Sequence, residues 1–245
     1  MKNKKIKTAL IVFIIILTLV LFFNVAVYAA YTLAATDVSY TKPNGTQTSV
    51  KAALDEVYAK VPKHQIGDEV TVGGEQFYVL EWDNNCDTVN LISKYNLNKE
   101  GTAQQDAAYK TTACAFSSTN YWSSRFTSSP FNLNDFIGYT ATDAIGKAKS
   151  YGRSKGAVSS RLLSREEADA LTSKASSNTK IDTMLWGKAN SANGYLYYWL
   201  GSAHSTSSVW CVDGDVGRLS YRDFSGGRLS YGVRPVITIL KSKIS

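Results

Sequence analysis

Few residues of this 245-residue chain have the type and spacing for covalent or metal chemistry. There are two histidines, His64 and His204, and three cysteines, Cys86, Cys114 and Cys211. His204 stands in the run Ala203-His204-Ser205-Thr206-Ser207-Ser208, where a serine nucleophile and its base would be neighbours. Such a pair also needs an orienting acid and an oxyanion hole, and neither is visible in the surrounding sequence. Glu166 and Glu167 are adjacent carboxylates, but consecutive helical residues do not face one another. No two cysteines have the C-x-x-C spacing of a metal or redox site. In an exported chain a Cys86–Cys114 bridge and three free thiols both stay open. P-loop, dinucleotide and H-E-x-x-H patterns are absent. The expectation is a chain with no catalytic residues, no metal and no cofactor.

The stretch from Tyr197 to Ile239 suggests a different kind of work. It alternates short strand-like pieces with Gly, Ser and Asp turns, and repeats Gly-Arg-Leu-Ser-Tyr at 217–221 and 227–231. Tyr, Trp, Ser, Gly, Asp and Arg dominate, a mixture that suits recognition: rigid amphipathic rings give contact area, and small polar residues give adaptable hydrogen bonds. The candidate ligand-binding residues are Trp199, His204, Trp210, Asp213, Asp215, Arg218, Tyr221, Arg222, Asp223, Phe224 and Arg228. Arg234, between apolar residues of a strand, reads as structural: partly buried and paired with a carboxylate such as Asp213 or Asp223.

Several elements must position these residues. Lys2, Lys4, Lys5 and Lys7 precede an uncharged run from Thr8 to Thr36, the pattern of an export signal. The small residues around Val27-Tyr28-Ala29 suit cleavage, while the run is also long enough for the roughly 20 apolar residues of a membrane span. Residues 1–35 are thus a signal peptide or a membrane anchor. In either case the rest lies outside the cytoplasm, secreted or membrane-anchored. The net charge of +7 comes mostly from these lysines, since 7 − 4 leaves +3 for everything else. No Lys/Arg run follows, so nucleic acid is not an expected partner. With 44% hydrophobic and 12% aromatic residues, the remainder is a folded globule rather than a disordered stalk.

Residues 36–62 form a short linker. In it Val50, Ala53, Leu54, Val57 and Tyr58 make one apolar helical face, capped by Thr48 or Ser49 and ended by Pro62. This face docks on the main domain or pairs with another copy. From residue 63 onward the spacing predicts strands over 69–72, 76–82 and 88–93, the first two joined through Gly73-Gly74. A helix capped by Thr142 runs to Ser150. Ser164 and Glu167 form a capping box for a second helix, followed by a Ser-rich loop over 174–180. Aromatic residues of the polar middle, among them Phe116, Trp122, Phe126 and Phe131, plug it onto the core. Strands close the chain over 195–200, 209–212, 218–221, 228–231 and 233–239, with Pro235 placing the last near an edge. The class is α+β, with antiparallel strands, two short helices and long loops.

Particular motifs carry a resemblance. Tyr198-Trp199-Leu200-Gly201-Ser202 and the terminus Gly232-Val233-Arg234-Pro235-Val236-Ile237-Thr238-Ile239, with Ile66-Gly67-Asp68, Phe77-Tyr78-Val79-Leu80 and Leu162-Leu163-Ser164 upstream, resemble an uncharacterised bacterial family with the C-type-lectin fold. Val38-Ser39-Tyr40-Thr41 and Val50–Tyr58 resemble a short module found behind membrane or pilin-like leaders. The resemblance implies a C-type-lectin-like domain over 63–245. The fold is shared with variable proteins of diversity-generating retroelements, whose hypervariable surface would correspond here to Val209–Tyr231. Animal C-type lectins hold calcium through motifs that Trp210-Cys211-Val212-Asp213-Gly214-Asp215 does not match. Formylglycine-generating enzymes share the fold but need a reactive cysteine pair, and Cys211 has no partner near it in sequence. The functional expectation is therefore an exported cell-surface module that binds a protein or glycan ligand. The alternatives are a pilin-like or surface-appendage subunit self-associating through Val50–Tyr58, and an enzyme of the formylglycine-generating type.

Overall fold

Short turns and caps set the first elements of the chain. In the computed structural model the residues described are 38–41, 43–54, 63–106, 112–124, 131–136, 138–187, 196–225 and 231–245. The chain divides after Val61 into two units. In the first, strands β1 (Ser39–Thr41) and β2 (Gln47–Ser49) pair antiparallel. Asn44 turns the chain between them by accepting from the Thr46 N–H at 3.1 Å. The Ser49 hydroxyl accepts from the Ala52 N–H at 3.0 Å, so Ser49 caps the helix over residues 50–54 as its residue type requires. Leu54, on the apolar stripe, is 48% exposed. Val57, Tyr58 and the hydrophobic leader lie outside the described residues.

The second unit is α+β with antiparallel sheets. Gly73 and Gly74 take φ of 55° and 81°, the left-handed pair that a two-residue hairpin turn needs. They join β3 (Glu69–Val72) to β4 (Glu75–Trp82), which pairs with β5 (Thr88–Ser93). Further along come β6 (Phe131–Asn132) and β7 (Ser159–Leu162). The closing strands are β8 (Tyr197–Ala203), β9 (Ser208–Asp213), β10 (Arg218–Asp223) and β11 (Pro235–Leu240). Five strands form one sheet in the order β3-β4-β5-β11-β7, and four form another in the order β10-β9-β8-β6. β11 is therefore interior, contrary to the edge expected from Pro235. The proline is the first residue of the strand, a position that tolerates a missing N–H.

Three helices cover the larger sheet. In α1 (Ala144–Ser154) the cap position falls on Asp143 rather than Thr142. α2 (Arg165–Ala175) has both bonds of the Ser164–Glu167 capping box, and Arg161 grips the same Glu167 carboxylate with two bonds of 2.6 Å. α3 (Thr179–Trp186) occupies a segment read only as loop and connection; the Asn178 side chain caps it and Gly187, at φ 69°, ends it. Strand alternation splits the core in two. Phe77, Val79, Leu91, Ile237 and Ile239 face one cluster with Ala148 and Tyr151 of α1. Tyr78, Leu80, Ile92 and Val236 face the other, with Leu171 of α2 and Met184 of α3. The two sheets are stitched by Asn134, whose side chain accepts from Leu162 N–H at 2.9 Å and donates to its carbonyl at 3.0 Å. Gly201 leaves room for that amide: a Cβ there would lie 2.1 Å from Asn134 Nδ2.

The middle aromatics behave as plugs where they are described: Phe116 and Trp122 are fully buried and meet edge to face at 5.6 Å. Phe126 lies outside the described residues. All three cysteines are free, so the Cys86–Cys114 bridge is not formed. Arg234 is wholly buried, yet its partners are carbonyls rather than a carboxylate: Nε donates to Ser93 O and Nη1 to Met184 O, both at 2.6 Å. Met184 lies in the last turn of α3, where the helix dipole favours a cation, and the Tyr198 ring centroid is 5.0 Å from the guanidinium carbon. These contacts replace the expected ion pair with Asp213 or Asp223.

Candidate functional site

The closing sheet presents its residues by the period of two that a strand imposes. β10 pairs with β9 so that Tyr221 stands opposite Trp210, Arg222 opposite Val209, and Arg218 opposite Asp213. Tyr221 and Arg222 therefore point to opposite faces. Arg218 and Arg222 share one face of β10, and Tyr221 and Asp223 share the other; among the described residues β10 is the end strand of its sheet, and the expected strand over 228–231 lies mostly outside them.

On the first face an aromatic cluster forms. His204 follows β8 in a tight turn, its N–H donating to Ser208 O at 2.9 Å. Its Nδ1 lies 3.0 Å from Ser208 Oγ. The imidazole stacks on the Tyr221 ring at 3.7 Å, nearly parallel, and meets Trp210 edge-on at 4.8 Å. Tyr221 is 50% exposed. Trp210 is half-buried, with no hydrogen bond to its indole N–H among the described residues, and the Arg165 guanidinium carbon sits 4.3 Å from its ring centroid. Among the described residues no carboxylate bonds the His204 ring, so the His204–Ser208 contact closes a turn and lacks the third member of a catalytic triad. Arg165 escaped the sequence reading, which saw it only inside a capping box 45 residues upstream of Trp210.

The second face is polar. Arg222 Nη1 donates to Ser220 Oγ at 3.0 Å and to Tyr221 O at 2.8 Å, and its guanidinium lies 5.8 Å from the ring centroid of buried Tyr231. Arg218 is exposed and approaches Asp213 at 3.9 Å, and Asp213 itself is buried, 8% exposed. Asp215, in the turn between β9 and β10, is exposed; Asp223, opposite Ser208 and so on the Tyr221 face, is also exposed and accepts from the Ser225 N–H at 2.9 Å. Arg228 lies outside the described residues.

Two candidates leave the site. Trp199 is fully buried, and its indole N–H donates to Cys114 O at 2.8 Å. Phe224 packs edge-on against buried Trp122 at 5.5 Å, while its carbonyl accepts from Phe116 N–H at 3.0 Å. Trp199 is a core residue of a strand buried on both faces, and Phe224, just past β10, is half-buried and packs against the same core. Cys211 is also buried, and burial pushes its thiol up to about 12, with the Tyr231 hydroxyl and Arg222 opposing weakly. Among the described residues no group of three or more His, Cys, Asp or Glu could hold a metal ion. Comparison with family models, with curated proteins and with solved structures finds no match for this chain.

Proposed function

We propose that this chain is an exported cell-surface binding module with a C-type-lectin-like fold, recognising a protein or glycan ligand through β9, β10 and the His204 turn. The observation that carries this reading is the ring cluster on the first face of β10. Tyr221 is exposed on β10 and held by His204 and Trp210, with Arg165 over the Trp210 ring. Large rings fixed in place and flanked by Arg are the residues that dominate binding energy at recognition surfaces. Exposed Arg218 and Asp215 would supply orienting hydrogen bonds, while Asp213 is buried. The basic leader and its uncharged run support delivery across a membrane, with the leader either retained as an anchor or removed.

One observation favours a second reading. Leu54 is an exposed apolar residue on the helix of the first unit, as expected of an assembly subunit that pairs through this face. An enzyme of the formylglycine-generating type finds less support, because a buried thiol raised to about 12 is costly to ionise. The test is to screen the full chain against a glycan array and a displayed protein library, with Tyr221→Ala in parallel. A ligand that binds the wild type and loses Tyr221→Ala supports the module. Binding nowhere, with large ordered oligomers in detergent that Leu54→Asp disperses, would favour the assembly subunit.

A further inference from the structure

A second cleft lies away from the closing sheet and shares no residue with it. It holds about 290 Å³ between the start of the β3–β4 hairpin and the first turns of α3. Its side chains are Asp68, Glu69, Tyr78, Thr179, Lys180 and Thr183. The turn and the helix meet closely at Gly67, where a Cβ would lie 2.9 Å from Lys180 Cβ. Gly67 also takes φ 89°, so the wall needs a glycine twice over.

The charges of the cleft are already matched. Lys180 Nζ lies 2.6 Å from Asp68 Oδ1, and Lys94 Nζ lies 2.8 Å from Glu69 Oε2. The Gln65 N–H and Lys180 hold the Asp68 carboxyl below its ordinary range, so it is an acceptor at neutral pH. No net charge is left to select an ionic ligand. What remains open is hydrogen-bonding capacity. Thr179 and Thr183 lie four apart on α3 and so share one face. Each carboxylate has lone pairs beyond those its lysine uses.

Tyr78 lines the cleft at 2% exposure; its hydroxyl makes no hydrogen bond of good geometry among the described residues, and the Glu69 carboxylate stands close to it. A buried O–H without a well-formed bond is unfavourable, and native structures rarely leave one without a reason. Burial raises its pKa and the nearby Glu69 carboxylate adds to this, while Arg234 opposes; the hydroxyl therefore stays a donor at neutral pH. The volume falls just below the usual 300–1,000 Å³ for ligand sites, which suits one small ring and is too small for a nucleotide.

We propose that this cleft binds one neutral polyhydroxylated ligand, a single sugar residue, through Tyr78, Thr179, Thr183 and the Asp68 and Glu69 carboxylates. The ring hydroxyls of a sugar both donate to carboxylates and accept from hydroxyls, which matches the mixture here. The inference does not depend on the β10 face.

The test uses the full chain and saturation-transfer NMR with glucose, galactose, N-acetylglucosamine, N-acetylgalactosamine and rhamnose. Glutamate and inorganic phosphate serve as charged controls. At least one neutral sugar should bind, and both Tyr78→Phe and Thr183→Val should weaken it about tenfold, the factor that one lost hydrogen bond can carry. Tyr221→Ala should leave this binding unchanged, which separates the two sites. Tyr78→Phe should melt no lower than wild type, since it removes only a hydroxyl without a well-formed bond. The proposal fails if no sugar binds, if only the charged controls bind, or if either variant binds as the wild type does. A lower melt for Tyr78→Phe would also overturn it, by showing that the hydroxyl has a partner.

Discussion

β10 and β11 are both six residues long, yet they differ in what holds them. β11 lies between β5 and β7, and five of its six residues are buried or half-buried. Among the described residues β10 is the last strand of its sheet order, and both of its faces mix exposed and half-buried residues, with none buried. Every side chain of β11 but Leu240 is dictated by a neighbour, so its sequence is the apolar Pro-Val-Ile-Thr-Ile-Leu. Packing dictates little at β10, so its sequence is free to serve a ligand. That contrast separates scaffold from surface inside one short C-terminal segment.

The largest expected effect is on the scaffold side. Ile237 is fully buried between the ladders of β5 and β7. Ile237→Ala should cost about 2–5 kcal/mol, as large-to-small core substitutions do, read from urea unfolding. A cost below about 1 kcal/mol would mean that β11 is less packed than described, and the contrast would break.

An intermediate effect joins the two regions. Glu167 caps α2, whose first residue, Arg165, lies over Trp210. Burial alone would raise the Glu167 pKa, but the Arg161 bonds outweigh it and hold it below the ordinary range. A depressed carboxylate contributes its stability above the unfolded value, about 4.3, and loses it as pH falls through the folded value. Glu167→Gln keeps the cap geometry and removes the charge. It should therefore cost about 0.5–1 kcal/mol at pH 7, the range of a partly exposed ion pair, and less near pH 3, where the unfolded carboxyl is already protonated. Thermal melts at both pH values check this; an equal cost at both would assign the effect to the cap alone.

The smallest effect belongs to β10. Arg218 is exposed and its nearest carboxylate is 3.9 Å away. Arg218→Ala should change stability by no more than about 0.5 kcal/mol, read from the same melts. A larger loss would place Arg218 in a structural network and sharpen the face down to the ring cluster.

Legibility in the sequence followed how local each signal was. β3, β5 and the Ser164–Glu167 box were readable because turn glycines, alternation and a cap spacing lie within a few residues. α3 was missed because its apolar residues Ile181, Met184 and Leu185 span little more than one turn behind a Ser-rich stretch. The site was half legible. Residue types mark Tyr221, His204 and Trp210, while the alternation along 218–223 sends Arg222 to the other face. Trp199 and Phe224 looked like contact aromatics until Cys114 and Trp122 supplied their partners from the middle of the chain. Arg165 and the carbonyl partners of Arg234 are non-local, and no spacing announces them.

The most direct test of the central claim is to measure stability and binding on one variant, Tyr221→Ala. The account predicts a melt within about 0.5–1.5 kcal/mol of wild type, the worth of one exposed ring stack, together with loss of binding to whatever ligand the array or library identifies. A variant that unfolds as readily as Ile237→Ala, or that binds as well as the wild type, would contradict it.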